Sequence, residues 1–344
     1  MLSFENDYTI GCHPKVLQHL VDTNEEVLAG YGTDTYSERA KEKIRAAIGC
    51  PEADVFFAVG GTQTNQLVID AMLASWGGVI SPDTGHIALH ETGAVELNGH
   101  KVITLPQHEG KILAEELDAF MEEFTIRNKY GELPVPGLVY ISWPTEYGTI
   151  YSKAELQAIR ASCDRWSLPL YIDGARLSYG LAAHECDITV QEFASLCDAF
   201  YIGGTKVGAL CGEAIVFPRG NAPAYFRSSV KQHGAMLAKG RLIGVQFDAL
   251  FTDDLYFEMG KHTIAMSDLL KETMRRCGCP IYLESPTNQQ FTVMTRERME
   301  RISKEARLLY WDPLPDGNVV VRIAVSWSTQ PEDIAVLERL LLEK

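Results

Sequence analysis

Leu168-Pro-Leu-Tyr-Ile-Asp-Gly-Ala-Arg176 and, after a short interval, Asp198-Ala-Phe-Tyr-Ile-Gly-Gly-Thr-Lys206 decide how this chain reads. Each is an apolar run of strand length that stops at a charged residue, the pattern of a buried parallel strand carrying a side chain to the edge of a sheet. In open α/β sheets ligands bind at the carboxyl ends of the strands, so Asp173 and Lys206 are expected to face one cleft.

Working outward, the interval Val190–Cys197 has helical spacing and Glu213–Phe217 returns as a further strand. Ser152–Trp166 reads as a helix opened by a capping box, Ser152 with Glu155 three residues on. Strands are expected at Val55–Val59, Gly78–Ile80, Lys101–Leu105 and Gly137–Ser142, and helices at Pro14–Val21, Ser37–Ile48, Gln66–Ser75 and Ala114–Phe124. This β-α-β rhythm predicts an α/β fold with a mostly parallel sheet and helices on both faces. After about Phe247 the texture changes: helix Asp253–Arg276, strands Ile281–Glu284 and Phe291–Met294, helix Arg296–Ala306, strand Val319–Val325 and a closing helix Pro331–Glu343. The reading is a large domain, 1–246, and a small C-terminal α/β domain, 247–344.

The 344 residues are 46% hydrophobic and 22% charged, enough apolar material for a sizeable core. A formal net charge of -15 would repel nucleic acid and anionic membrane, leaving a small molecule as the expected partner. The eight cysteines lack C-x-x-C spacing, so no metal site is expected and they read as reduced thiols. Met1–Asp7 has neither a basic nor an apolar leader region, and no run reaches the length of a membrane span, which predicts a cytoplasmic protein.

Three features carry chemistry. Gly60-Gly-Thr-Gln-Thr-Asn65 lies between a strand and a helix, where free N–H groups favour an anion such as phosphate; it reads equally as an ordinary capped helix start. It is neither a Walker A loop nor the G-x-G-x-x-G fingerprint. Lys206 sits among glycines and apolar residues, where desolvation makes a neutral amine available to attack an aldehyde; a lone loop lysine that reaches to solvent is the plainer alternative. Asp173 could hold a pyridinium N–H, cap a helix, or pair with Arg176. In this order on an α/β sheet, the three supply what pyridoxal 5'-phosphate needs: a phosphate anchor, a partner for the ring nitrogen and an amine for the aldehyde.

With Tyr31-Gly-Thr-Asp34, Gly85-His-Ile-Ala-Leu-His-Glu-Thr-Gly93 and Gly208, these motifs resemble the threonine aldolase family, within the β-eliminating lyase group of fold-type-I pyridoxal phosphate enzymes. The resemblance covers nearly the whole chain and is weakest after about residue 250. It implies that Lys206 holds the cofactor covalently, that Asp173 partners the ring nitrogen, and that Arg176 meets the phenolic oxygen. Gly61, Thr62 and Gln63 would hold the phosphate and His86 would stack on the ring, although a histidine there also reads as a satisfied core residue. Arg322 matches the arginine that grips the substrate carboxylate, and independently an arginine interrupting an apolar strand must find an anion. Asn6-Asp7 matches a segment near that carboxylate, with Asn6 as a substrate contact. Where many relatives carry Asn-Thr-His-Asn, this chain has Trp143-Pro-Thr-Glu-Tyr-Gly148, so Glu146 stands in the histidine's place, as in a phenylserine-aldolase-like branch. Glu146 reads as a base if burial raises its pKa, or as an ordering residue.

The expected activity is cleavage of a β-hydroxy-α-amino acid of the threonine, allo-threonine or phenylserine type to glycine and an aldehyde. β-Elimination or transamination on the same scaffold, and a non-catalytic binding relative, are the alternatives. The resemblance also implies a homodimer or homotetramer with shared active sites, in which Tyr31 and the run Arg227–His233 reach a neighbour's cofactor; the run reads equally as a solvated helix face.

Overall fold

The structure is a computed structural model that describes residues 2–343. After β1 (Leu2–Ser3) come seven strands that form one sheet: β2 (Asp54–Ala58), β3 (Gly77–Pro82), β4 (Lys101–Leu105), β5 (Val135–Ser142), β6 (Leu170–Asp173), β7 (Ala199–Gly203) and β8 (Glu213–Phe217). Their order is β2-β8-β7-β6-β5-β3-β4, parallel throughout except that β8 runs against both neighbours. The exception is topological. Residues 204–212 are all that join β7 to β8, short of the dozen or so residues that a parallel return needs.

Alternation along the strands feeds a core on each face. Tyr140, Tyr171 and Tyr201 pack with Leu67, Val68 and Ile69 of the helix Gly61–Met72, whereas Ile141, Ile172 and Ile202 pack with helices on the other side. The capping box expected at the helix Lys153–Trp166 is present, with Ser152 accepting from the Glu155 N–H.

A second, antiparallel sheet, β12-β13-β10-β9, is built from β9 (Ile281–Leu283), β10 (Gln289–Thr295), β12 (Leu309–Pro313) and β13 (Asn318–Ala324), and encloses its own core with the helix Pro331–Leu342. Here several sequence expectations are corrected. The helix expected through Ala306 ends at Ile302, because Ala306 is drawn into the small core and starts β11 (Ala306–Arg307). β11 pairs in parallel with β1, and Phe4 packs into the same core, so the first residues join the small sheet's domain rather than the large one they were read with. Their apolar content, Leu2 and Phe4, is satisfied there. The helix expected from Asp253 begins at Leu255, after Asp253 and Asp254 adopt left-handed φ values of 51° and 55°, and a helix not expected from the sequence, Arg241–Leu250, precedes it.

The Arg241–Leu250 helix supports the loop bearing Lys206. Gln246 Oε1 accepts from the N–H groups of Leu210 (2.7 Å) and Cys211 (3.3 Å). Two residues on, buried Asp248 takes His19 at 2.8 Å, Lys43 at 2.7 Å and the Arg39 guanidinium, tying this helix to the helices Pro14–Asp22 and Thr35–Ile48. Burial opposes the charge, but Arg39, Lys43 and His19 outweigh it and hold the Asp248 carboxyl at about 2. A carboxyl whose pKa is depressed on folding stabilises above its unfolded value, and that contribution disappears as pH falls from about 4 toward 2. Asp248→Asn, which leaves the partly exposed Arg39 and Lys43 without their carboxylate, is expected to cost about 1 kcal/mol at neutral pH, read by denaturant unfolding, and little near pH 2.

Candidate active site

Register alone brings the two opening strand ends together. β6 and β7 are neighbours, so Asp173 and the loop that follows Gly203 emerge at the same sheet edge. They line a cavity of about 290 Å³ with Gly61, Thr62, His86, Glu146, Arg176 and Lys206. Among the described residues no carboxylate lies within 4.0 Å of the Lys206 amine. Burial and the nearby Arg176 charge lower its pKa, with Asp7, Asp173 and Glu213 offsetting part of the effect. Tyr179 fixes the backbone at this point by donating to the Lys206 carbonyl.

Gly60 precedes the helix Gly61–Met72 in extended conformation, and the first intrahelical bond is Thr64 N–H to Gly60 C=O, 3.0 Å. The N–H groups of Gly61, Thr62 and Gln63 therefore precede the hydrogen-bond ladder and are available to an anion. At Gly61 a Cβ would lie 3.1 Å from the Tyr201 hydroxyl, so a larger residue there would make Tyr201 give way by a few tenths of an ångström. The Gln63 side chain turns back to accept from the Val59 N–H at 3.2 Å.

Asp173 is buried and accepts three hydrogen bonds: from the Tyr140 hydroxyl (2.7 Å), Asn65 Nδ2 (3.3 Å) and the Ala175 N–H (3.0 Å). From it a closed circuit runs through the site. Asn65 also donates to Glu91 Oε1 (2.7 Å), and Glu91 accepts from His86 Nδ1 (2.7 Å). The His86 N–H donates to Glu146 Oε1 (2.9 Å), which takes the Ser142 hydroxyl (2.6 Å), and Ser142 Oγ lies 3.2 Å from the Tyr140 hydroxyl. With Nδ1 set toward Glu91, Nε2 is the ring nitrogen left free to face the cavity. Glu146 is raised above the usual carboxylate range, chiefly by burial, with Ser142 and His86 pulling the other way, and its Oε2 is buried without a partner.

Arg322 lies on β13, which pairs with β10 and β12. Its Nη1 donates to Gln289 Oε1 (2.9 Å) and its Nη2 to the Glu5 carbonyl (3.0 Å); Nε is buried with no partner, and the guanidinium lies 5.2 Å from the Trp311 ring centroid. Burial and then Arg176 push it down to about 10, still protonated at neutral pH. Among the described residues no carboxylate lies within 4.0 Å of it. Arg176, in contrast, is held bidentately by Asp7, at 2.6 and 3.0 Å. Burial disfavours the charge of each, but the pairing wins: Arg176 is raised and Asp7 falls to about 2.

Two of the expected contacts lie elsewhere. Asn6 uses its side chain to accept the Tyr8 N–H at 3.1 Å, an Asx-turn, and the adjacent Asp7 enters the site instead. Tyr31, at φ 59°, lines a separate pocket with Arg227, and the Lys231 amine lies 4.7 Å from its ring centroid. Asn65, Glu91, Tyr140 and Glu213 were not singled out from the sequence. Asn65 and Glu91 lie inside quoted motifs, and Glu213 opens an apolar strand, the same signal that marked Arg322. Tyr140 gave no signal, being one aromatic among apolar strand residues.

The sequence profile described as Beta-eliminating lyase matches residues 22–297. The low specificity L-threonine aldolase of Pseudomonas aeruginosa is 28% identical over 339 residues, 98% of this chain and 96% of that protein. The solved threonine aldolase of Leishmania major is 38% identical and superposes with a TM-score of 0.94, covering 99% of this chain and 100% of that one. An aspartate aminotransferase from Thermus thermophilus, 15% identical with a TM-score of 0.70 over 99% of this chain and 91% of that one, shares the fold. Among the described residues no helix is long and apolar enough to cross a membrane.

Proposed function

The chain belongs to the beta-eliminating lyase family, with the threonine aldolases, and from that membership we propose that it binds pyridoxal 5'-phosphate in the Lys206 cavity and cleaves a β-hydroxy-α-amino acid to glycine and an aldehyde. The observation that carries the reading is one cavity holding an amine with no counter-ion, a helix start with unpaired N–H groups and a buried carboxyl that accepts from three donors. Bound there, the cofactor supplies an electron sink for the Cα–Cβ bond.

The chain's own groups do the rest. Gly61, Thr62 and Gln63 would hold the phosphate by their N–H groups, Asp173 would partner the ring nitrogen, and Lys206 would be the amine that holds the cofactor's aldehyde. Arg176 and His86, which line the same cavity, would meet the cofactor's phenolic oxygen and its ring. Arg322 fixes the substrate carboxylate by the donors it leaves unpaired, which orients the bond to be broken. Glu146, or His86 through Nε2, or a water between them, takes the β-hydroxyl proton. Burial suits Glu146 to the task, since a raised pKa brings a carboxylate nearer to a general base at neutral pH. Glu146→Gln keeps the hydrogen-bond acceptor for Ser142 and His86 but cannot accept the proton. The visible cofactor absorbance should persist while kcat falls about a hundredfold. An unchanged kcat would give the base role to His86.

We further propose substrates of the threonine, allo-threonine or phenylserine type, a cytoplasmic homodimer or homotetramer, and Tyr31 with Arg227 reaching the neighbouring subunit's site. An aldehyde-release assay across L-threonine, L-allo-threonine and both enantiomers of phenylserine tests the chemistry. Glycine plus aldehyde is the expected result. A 2-oxo acid with ammonia would replace it with β-elimination, and amino transfer to an acceptor with transamination.

A further inference from the structure

Glu213 is a buried carboxyl that the reaction above does not use. It opens β8, which lies between β2 and β7, with Ala58 opposite it on one side and Gly203 on the other. It therefore stands between the strand that leads into the Gly60-Gly61 helix start and the strand that leads into Lys206, and it lines the same cavity as both. Its Oε2 accepts the Gly204 N–H at 2.8 Å, folding the side chain against the base of the Lys206 loop. A glutamine would serve that contact equally well, so the hydrogen bond alone does not account for a charge-bearing residue in this place. An ionisable group taken out of water is costly unless another charge answers it. The cation that shares the cavity and lacks a close carboxylate is the Lys206 amine.

We propose that Glu213 is the positioning carboxyl that sets the charge state of Lys206, steadying the ammonium when ionised and freeing the neutral amine when protonated. In the exchange, ammonium and carboxylate become amine and carboxylic acid: one N–H bond breaks, one O–H bond forms, and the net charge of the cavity does not change. With no carboxylate within 4.0 Å of the amine, the coupling acts across the cavity and the proton passes by way of solvent. The other charged groups facing the pair are Asp173 at the end of β6, Arg176 beyond it and Asp7 of the N-terminal segment. Tyr171 on β6, Tyr201 on β7 and Tyr256 on the helix Leu255–Arg276 also face it; burial keeps their phenols neutral. Consistent with this role, burial lifts Glu213 to about 7 against the pull of Thr205, the Gly204 N–H and Lys206, while Lys206 is lowered. The two are therefore shifted toward each other. The role matters because, on the cofactor reading above, Lys206 must pass between bound and free amine in every turnover.

The test does not depend on that reading. The full chain without cofactor is labelled with an amine-acylating anhydride across pH, and the Lys206 peptide is quantified by mass spectrometry, since only the neutral amine reacts. In the wild type the labelling curve should be broader than a single titration, with a shoulder near pH 7 where Glu213 ionises. In Glu213→Gln the shoulder should vanish and the midpoint fall by about one pH unit, a tenfold change in proton affinity. Glu213→Asp, which keeps the charge, should restore the shoulder. A wild-type curve with one simple inflection, or a midpoint unmoved in a folded Glu213→Gln protein, overturns the proposal. Reconstitution with pyridoxal phosphate separates the two claims. No visible absorbance in the wild type would sink the cofactor reading, and the labelling curves would still decide the role of Glu213.

Discussion

Lys206→Ala is expected to abolish the visible absorbance that pyridoxal phosphate confers on the wild-type protein and to lower aldehyde release by about a thousandfold or more. The size follows from what the cavity offers in its place. Phosphate donors, Asp173 and Arg176 remain, so the cofactor still binds through charge and hydrogen bonds, but no second amine lines the cavity to take the aldehyde. Equilibrium dialysis should therefore find retained, weakened binding alongside lost absorbance. The apoprotein should unfold at no lower temperature than the wild type. Burial and Arg176 already work against the Lys206 ammonium, so its removal relieves a cost rather than a contact. Retained visible absorbance in the alanine variant would place the covalent attachment elsewhere and dismantle the assignment of the site.

Much of this site was legible in the sequence because parallel α/β topology concentrates chemistry at strand ends. Asp173 and Lys206 each follow an apolar run, and β6 and β7 are both consecutive and adjacent, so nearness in sequence became nearness in space. Gly60–Asn65 was legible for the same reason: a helix start has a fixed set of free donors wherever it falls. What escaped was long-range. Nothing local in Asp7 announces that it meets Arg176, 169 positions away, nor in Asn65 that it joins Glu91 to Asp173. The Arg241–Leu250 helix escaped because its polar residues Gln246 and Asp248 are buried and spent on partners far away in sequence, so they do not mark a solvent face. The short strands β1 and β11 exist through pairing with each other, so neither carries a signal of its own. For Asn6 and Asp7 the segment was identified and the residue within it was not, because an Asx-turn at Asn6 spends the polar side chain that its position seemed to offer.

Arg322 poses the sharper trial, since two measurements must move in opposite directions. Its guanidinium is buried, has no carboxylate partner, leaves Nε unpaired and feels the repulsion of Arg176, with Asp7 returning part of the loss. Replacing an uncompensated buried ion by an apolar side chain of similar reach removes a desolvation cost. Arg322→Met is therefore expected to leave the protein without substrate as stable as the wild type or about 1 kcal/mol more so, by thermal or denaturant unfolding. The same change removes the donors that would clamp a carboxylate, and charged hydrogen bonds of this kind each contribute about 1.5 to 3 kcal/mol. KM should rise about a hundredfold with a smaller fall in kcat, because a carboxylate is gripped alike before and during bond cleavage. Arg322→Lys keeps the charge but loses the planar fork, and should fall between the two. A variant that lost stability and kept its KM would mean that Arg322 braces the seam between the sheets. The reverse pattern would identify it as a residue held at a cost to the fold for the sake of the carboxylate it binds.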